Sequence, residues 1–205
     1  DRVHRVIQTV APHDSVERYT ALGVECLHGS ARITSPFTVE VNGRTLTTRS
    51  IIVATGRTPM IPNIPGIQDM DYLTTDTLWH LREQPRRLLI LGGGPVGCEL
   101  AQAFQRLGTQ VTIALRGSRL LKKEDPDISA LIAKQFAQEG ILLLTDLTFQ
   151  QFRRDNGEKC LVAQHQGETR TLPFDQLLVA IGGKANVQGF GLEELGVQLN
   201  EDGTL

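Results

Sequence analysis

The sequence lacks the marks of several function classes. Its three cysteines, Cys26, Cys98 and Cys160, lie far apart and form no C-x-x-C or C-x-x-x-x-C pair, so each reads as an ordinary buried or half-buried thiol. The five histidines show no metal-ligand spacing, and Cys26 beside His28 on a possible short strand is a structural coincidence, so no metal site is expected. No polybasic run is present: 21 Lys and Arg against 23 Asp and Glu leave a net charge of -2, which removes the electrostatic case for nucleic acid or an anionic membrane. No apolar run approaches a membrane span, and the first residues do not read as a signal peptide. The expectation is a cytoplasmic, globular protein that meets small molecules, and 40% hydrophobic content suffices for a packed core.

What is present centres on the run Leu88-Leu89-Ile90-Leu91-Gly92-Gly93-Gly94-Pro95-Val96-Gly97. Four consecutive aliphatic residues suit a strand buried on both faces, and Gly92, Gly94 and Gly97 follow in G-x-G-x-x-G spacing. Pro95 suits the first helical position, where its missing N–H is no loss, and Val96, Leu100, Phe104 and Leu107 recur on one face. The spacing alone is a weak signal. Set between a strand and an amphipathic helix it predicts a dinucleotide site: Gly92 for the tight turn, Gly94 for close approach of a pyrophosphate, Gly97 for close helix packing. The helix N-terminus, with its free N–H groups and positive dipole end, would receive the anion.

Taken in order, residues 2–22 carry two helical pieces interrupted at Pro12 and Asp14, and Gly23 ends the second. Val24 to Leu27 reads as a short strand, Phe37 to Val41 as one arm of a hairpin turning at Asn42-Gly43, and Ser50 to Ala54 as a buried strand stopping at Gly56. These strands have too few helices to cover them, which points to part of a larger domain. Pro59, Pro62, Pro65 and Gly66 read as a stiff connector and domain boundary. Thr74-Thr75-Asp76 offers caps for a short helix through Trp79 and Leu81. Beyond the glycine turn, Gln110 to Leu115 is a second strand. Asp125-Pro126 caps a helix with Ile128, Leu131, Ile132 and Phe136 on one face, and Ile141 to Leu144 completes βαβαβ. Three antiparallel strands then form a meander with turns at Asn156-Gly157 and Gly167, and Leu177 to Ile181 returns as a buried strand ending at Gly182-Gly183. The fold class is α/β. With no initial methionine, and a turn just made at Asp202-Gly203, the chain reads as an excised fragment.

This order of parts resembles the middle of the pyridine nucleotide–disulfide oxidoreductases, the flavoprotein family of dihydrolipoamide dehydrogenase, glutathione reductase and mercuric reductase. The resemblance is carried by Ala54-Thr55-Gly56 with Ile61-Pro62-Asn63-Ile64-Pro65-Gly66, by Gly92 to Glu99, by Glu124-Asp125-Pro126-Asp127, and by Leu178 to Gly182 with Asn186. It implies a Rossmann-like NAD(P)-binding domain, a parallel sheet plus the meander, at residues 61–185. Residues 1–60 would be an incomplete part of an FAD-binding domain and residues 186–205 the return segment to it. It implies NADP or NAD and FAD as cofactors, with Ala54, Thr55 and Gly56 near the flavin, Ile181 and Gly182 on the nicotinamide cofactor, and a homodimer when full length. Glu99 takes the catalytic place, facing the nicotinamide and pairing with a lysine beside redox cysteines that this chain does not contain. The fragment alone is therefore expected not to turn over. The family's usual Gly-Arg-x-Pro-Asn is replaced here by Gly182-Gly183-Lys184-Ala185-Asn186.

The choice of nicotinamide cofactor falls at the end of the second strand, about twenty positions past the glycines, where NAD-binding domains carry an acidic residue. Leu115 stands there and cannot accept a bond from a ribose 2′-OH, whereas Arg116, with Arg119, Lys122 and Lys123 nearby, could pair with a 2′-phosphate. NADPH is the preferred reading. Two alternatives stay open: a flavin-dependent NAD(P)H oxidase or diaphorase without a redox cysteine pair, and a non-catalytic dinucleotide-binding module.

Overall fold

The computed structural model describes residues 2–205, and the chain divides into two compact units, Asp1–Thr58 with Lys184–Leu205, and Pro59–Gly183. The first unit opens with α1 (Arg2–Val10), a 3-10 turn over Ala11–Asp14 and α2 (Val16–Ala21). Ser15 caps α2 by accepting from the Arg18 amide at 3.2 Å. Strands β1 (Ala31–Ser35), β2 (Thr38–Val41) and β3 (Arg44–Thr47) form an antiparallel sheet in that order. The β2–β3 turn is Asn42-Gly43, both at positive φ (52° and 74°), the geometry that fits the twist of a hairpin. Ile33, Val187 and Leu192 make a small core, with Ile51 and Val53 packed against it.

Two expected strands do not form here. Residues 24–30 and 51–56 have no regular structure, and Ile52 is 90% exposed. A strand exists only with a hydrogen-bonded neighbour, and among the described residues neither segment is paired as one. Apolar runs of this kind signal burial but do not name the partner.

After β4 (Arg57–Pro59), the second unit begins with a 3-10 turn at Ile67–Asp69 and another at Leu78–His80. The proline-rich stretch is not a free connector: Ile64, Ile67 and Met70 are buried in the main core, and Phe152 donates its amide to Pro65 O. The helix expected after Thr74 is reduced to the second 3-10 turn: Thr74 Oγ1 accepts from the Asp76 amide at 3.2 Å and Thr77 Oγ1 from the Thr74 amide at 2.9 Å, a reciprocal cap, but the backbone turns extended at Leu81 and no α-helix follows.

The centre of this unit is β5 (Arg87–Leu91), followed by α3 (Pro95–Arg106), β6 (Gln110–Ala114), α4 (Pro126–Gln138) and β7 (Leu142–Leu144). The meander of β8 (Thr148–Asp155), β9 (Glu158–His165) and β10 (Glu168–Phe174) comes next, then β11 (Gln176–Val179). A short β12 (Gly183–Ala185) pairs with β4. The parallel sheet has the order β11-β5-β6-β7, with β5 central. The apolar run of β5 divides its residues by parity: Leu88 and Ile90 enter the core under α3 and α4, while Leu89 and Leu91 enter the core under the meander.

On each sheet-covering helix the expected apolar face is half right. On α3, Leu100 and Phe104 pack inward beside Gly97 and Ala101, while Val96 and Leu107 are 40% and 70% exposed; on α4, Ile132 and Phe136 pack inward beside Ser129 and Ala133, while Ile128 and Leu131 are 44% and 61% exposed. Small residues share the buried face with the large ones. Buried Ser129 is satisfied, donating to Leu120 O at 2.7 Å and accepting from Arg119 at 2.7 Å. Asp125 holds the N-cap place of α4 without a side-chain cap bond, and Pro126 fills the first turn.

Glu139 binds the ends of the two helices together. Its carboxylate accepts from Arg106 (2.7 Å), Gln135 (2.8 Å) and Gln102 (2.9 Å), and these donors, Arg106 foremost, hold it down at about 2. An acid at a helix C-terminus opposes the dipole, so Arg106 is what makes the position tolerable. A depressed carboxylate stabilises the fold above its ordinary value and loses that contribution as pH falls through about 2. Glu139→Gln is expected to lower the urea midpoint at pH 7, and the gap from wild type to close as unfolding is repeated down to pH 2. A constant gap would remove the charge from the explanation.

Candidate functional site

The sheet order makes a switch point between β5 and β11, since the chain leaves β5 towards β6 on one side while β11 lies on the other. In open α/β sheets ligands bind in the crevice outside the carboxyl ends of strands at such a point. Here the segments that leave those strand ends are Gly92 to Gly97 and Ala180 to Gly182.

The turn is held so closely that two of its glycines, Gly92 and Gly97, have no substitutes. Gly92 has φ of 113°, and a Cβ there would lie 2.2 Å from Ala180 O. A Cβ on Gly97 would lie 2.3 Å from Gly92 O, so this residue sets how near α3 comes to β5. Even Gly93 is crowded, with the Leu115 and Leu120 side chains inside 3.0 Å of a Cβ. Gly94 differs from all three: its backbone is extended, and a Cβ would meet nothing within 4 Å. It is the N-cap of α3, with Pro95 next, so the amides of Val96 and Gly97 have no acceptor within the helix. The turn thus offers an open cradle lined by N–H groups, the fit a pyrophosphate requires.

At the end of β6 the four residues singled out from the sequence separate into different tasks. Leu115 is buried under Gly93, and its backbone is tied to Leu144 O and to the Leu147 amide, both at 2.9 Å. It shapes the floor of the turn rather than reaching outward. Arg119 donates to the carbonyls of Leu121, Lys122 and Glu124 and to Ser129, so its guanidinium is consumed in holding its own loop. That loop also docks on the glycine turn, where the Leu121 amide meets Gly93 O at 2.7 Å. Arg116 is exposed, pairs with no carboxylate among the described residues, and lies over the Phe149 ring with Cζ 5.4 Å from its centroid. Lys122 is exposed.

Glu99 is exposed on α3, five positions past Gly94. Its neighbour Cys98 is buried and donates its thiol to Gly93 O at 3.6 Å; burial first, and the Glu99 charge second, push the thiol up to about 11. Cys98 is therefore an inert packing group at working pH. On the other bank Ala180 donates to Leu91 O at 2.8 Å, Ile181 is partly exposed, and Gly182 has φ of 108° with open space around it. In the first unit, Ala54, Thr55 and Gly56 form an exposed loop clamped by Asn186. Asn186 gives its amide to Gly56 O (3.0 Å) and its Nδ2 to Thr55 O (3.1 Å), accepts at Oδ1 from Thr58 (2.9 Å), and receives the Thr55 hydroxyl at its carbonyl. Sequence reasoning used Asn186 only as a mark of likeness. Its role in shaping the Thr55 loop carries no local signal, because the partners lie more than a hundred residues apart.

Among the described residues no cluster of metal-ligating side chains occurs, and no helix is long and apolar enough to cross a membrane. The family profile described as pyridine nucleotide-disulphide oxidoreductase matches residues 6–205. Similar proteins include a mercuric reductase of Staphylococcus aureus, 36% identical over 93% of this chain and 34% of its own length. A mercuric reductase of Streptomyces lividans is 39% identical over 91% and 41% of the two chains, and a dihydrolipoyl dehydrogenase of Thermus scotoductus 36% identical over 88% and 40%. Among solved structures, the Cu(II) complex of the HOCl-induced flavoprotein disulfide reductase RclA from Escherichia coli superposes with a TM-score of 0.74 at 28% identity, covering 87% of this chain and 40% of that one. The chain spans roughly a third to two fifths of the length of these relatives.

The glycine geometry separates folding from binding. Gly97→Ala should cost about 1–3 kcal/mol by overpacking, whereas Gly94→Ala should leave thermal unfolding unchanged and weaken dinucleotide binding at least tenfold in a calorimetric titration. A Gly94→Ala variant that binds as wild type does would show that the cradle is not the anion site.

Proposed function

Because the chain belongs to the pyridine nucleotide-disulphide oxidoreductase family, we propose that its second unit binds a nicotinamide dinucleotide, NADPH in preference to NADH. Its first unit then contributes one edge of an FAD site in a longer flavoprotein. Bound there, the two cofactors would supply hydride transfer from nicotinamide to flavin and electron transfer onward to a disulfide or metal-ion type acceptor, the class that its mercuric reductase and dihydrolipoyl dehydrogenase relatives suggest. The same likeness suggests a cytoplasmic homodimer.

The residues of this chain supply position and charge. The Val96 and Gly97 amides and the space at Gly94 would hold the pyrophosphate, and Ile181 and Gly182 would border the cofactor on the other bank. Exposed on α3, Glu99 would face the nicotinamide, as the family likeness implies. The Asn186-clamped loop Ala54-Thr55-Gly56 would meet the flavin.

The observation that carries the NADPH preference is Arg116. It follows Leu115, which stands where an acidic residue would mark NADH, it is unpaired by any carboxylate among the described residues, and a guanidinium binds a phosphate through two parallel hydrogen bonds. Calorimetric titration of the chain with NADPH and NADH, repeated on Arg116→Ala, tests it. NADPH should bind more tightly, and the variant should lose about tenfold for NADPH, roughly 1.4 kcal/mol, with NADH unchanged. Equal binding of the two by wild type would remove the preference while leaving the fold.

A further inference from the structure

An exposed arginine has large rotameric freedom, and freezing it on a ligand costs affinity. Arg116 is already restrained on both sides of its backbone. Leu115 is bonded to Leu144 and Leu147 at 2.9 Å each, and Gly117 O accepts the Asp146 amide at 3.1 Å, so the residue is pinned between the β6 end and the loop leading into β8. Its side chain is restrained separately by Phe149.

Phe149 is placed for this. It lies on β8 where the register with β9 slips between Phe149 and Gln151, and such a bulge re-aims a side chain. The ring is half-buried, packed against the core under the meander, and lies beneath the Arg116 guanidinium at 5.4 Å, inside the range of a cation–π contact. A guanidinium held by an aromatic ring spends no N–H group on a conventional acceptor there, so its donors stay available for another partner. Arg119, whose N–H groups are spent on carbonyls, shows the opposite arrangement ten residues from Ser129.

We propose that Phe149 is a positioning residue for recognition of the ribose 2′-phosphate: its ring, anchored in the core at a β-bulge, holds the Arg116 guanidinium with its N–H edge free for the phosphate. This rests on the NADPH reading of Arg116 and extends it to a residue that touches no part of the cofactor.

The test measures dissociation constants of NADPH and NADH for wild type, Phe149→Leu, Phe149→Trp, Arg116→Ala and the Arg116→Ala/Phe149→Leu double variant, with thermal unfolding of each. Phe149→Leu should weaken NADPH about two- to fivefold, the weight of an exposed cation–π contact, and leave NADH unchanged. Phe149→Trp should retain the preference, and Phe149→Leu should have no further effect once Arg116 is alanine. If Phe149→Leu weakens both cofactors equally, or weakens neither, or still acts without Arg116, the proposal fails and the Arg116 reading survives. If wild type binds both cofactors equally, the Arg116 reading fails and this one with it.

Discussion

The second unit depends on a contact between two stretches of backbone. Gly92 lies so near Ala180 O, and Gly97 so near Gly92 O, that no side chain can enter at either place. This closeness brings β5, β11 and the start of α3 to one point. It leaves Gly94 as the only position of the turn with both an ordinary backbone and open space. The open space is therefore a by-product of packing: backbone occupies the place of a side chain at Gly92 and Gly97 and leaves that place empty at Gly94. The loop that carries Arg116 and Arg119 is fixed to the same turn through Leu121 and Leu115, so charge recognition and phosphate cradle share one foundation.

Most of this architecture could be read from the residues, because its signals are local. A buried strand, a glycine spacing and a proline at the helix start lie within about ten residues of β5, and turn pairs such as Asn42-Gly43 and Asn156-Gly157 mark their hairpins by positive φ (52° and 50° at the asparagines). What could not be read depends on partners distant in sequence. The strands expected at Val24 to Leu27 and Ser50 to Ala54 are apolar runs without pairing neighbours, and the proline-rich stretch gave no sign that Ile64 and Ile67 would be core residues. On the two helices Leu100, Phe104, Ile132 and Phe136 pack inward as their spacing predicts, but nothing in an apolar pattern marks Gly97, Ala101 and Ser129 as sharing that face while Leu107 and Leu131 lie outside it.

The candidate site divides in the same way. The glycines lie between β5 and α3 as their spacing predicts, but spacing could not distinguish a free arginine from an occupied one. Arg116 and Arg119 carry the same charge and lie only three positions apart. They differ in that the carbonyls of residues 121–124 turn towards Arg119, helped by the positive φ of Leu121 (47°), while Arg116 is left to an aromatic ring. Which cation recognises a ligand is decided by which one the protein has not already used.

The first unit is discontinuous, and its Asn186 clamp joins segments 131 residues apart. Closing so long a loop of flexible chain carries an entropic penalty that grows with the logarithm of its length. The second unit removes most of that length once it folds, because it returns its own ends to each other: the Met60 amide meets Gly182 O at 3.0 Å. To the first unit the whole insertion then counts as a short hairpin. Any change that loosens the second unit, however far from residue 186, lengthens that tether and so weakens the clamp that shapes the Thr55 loop.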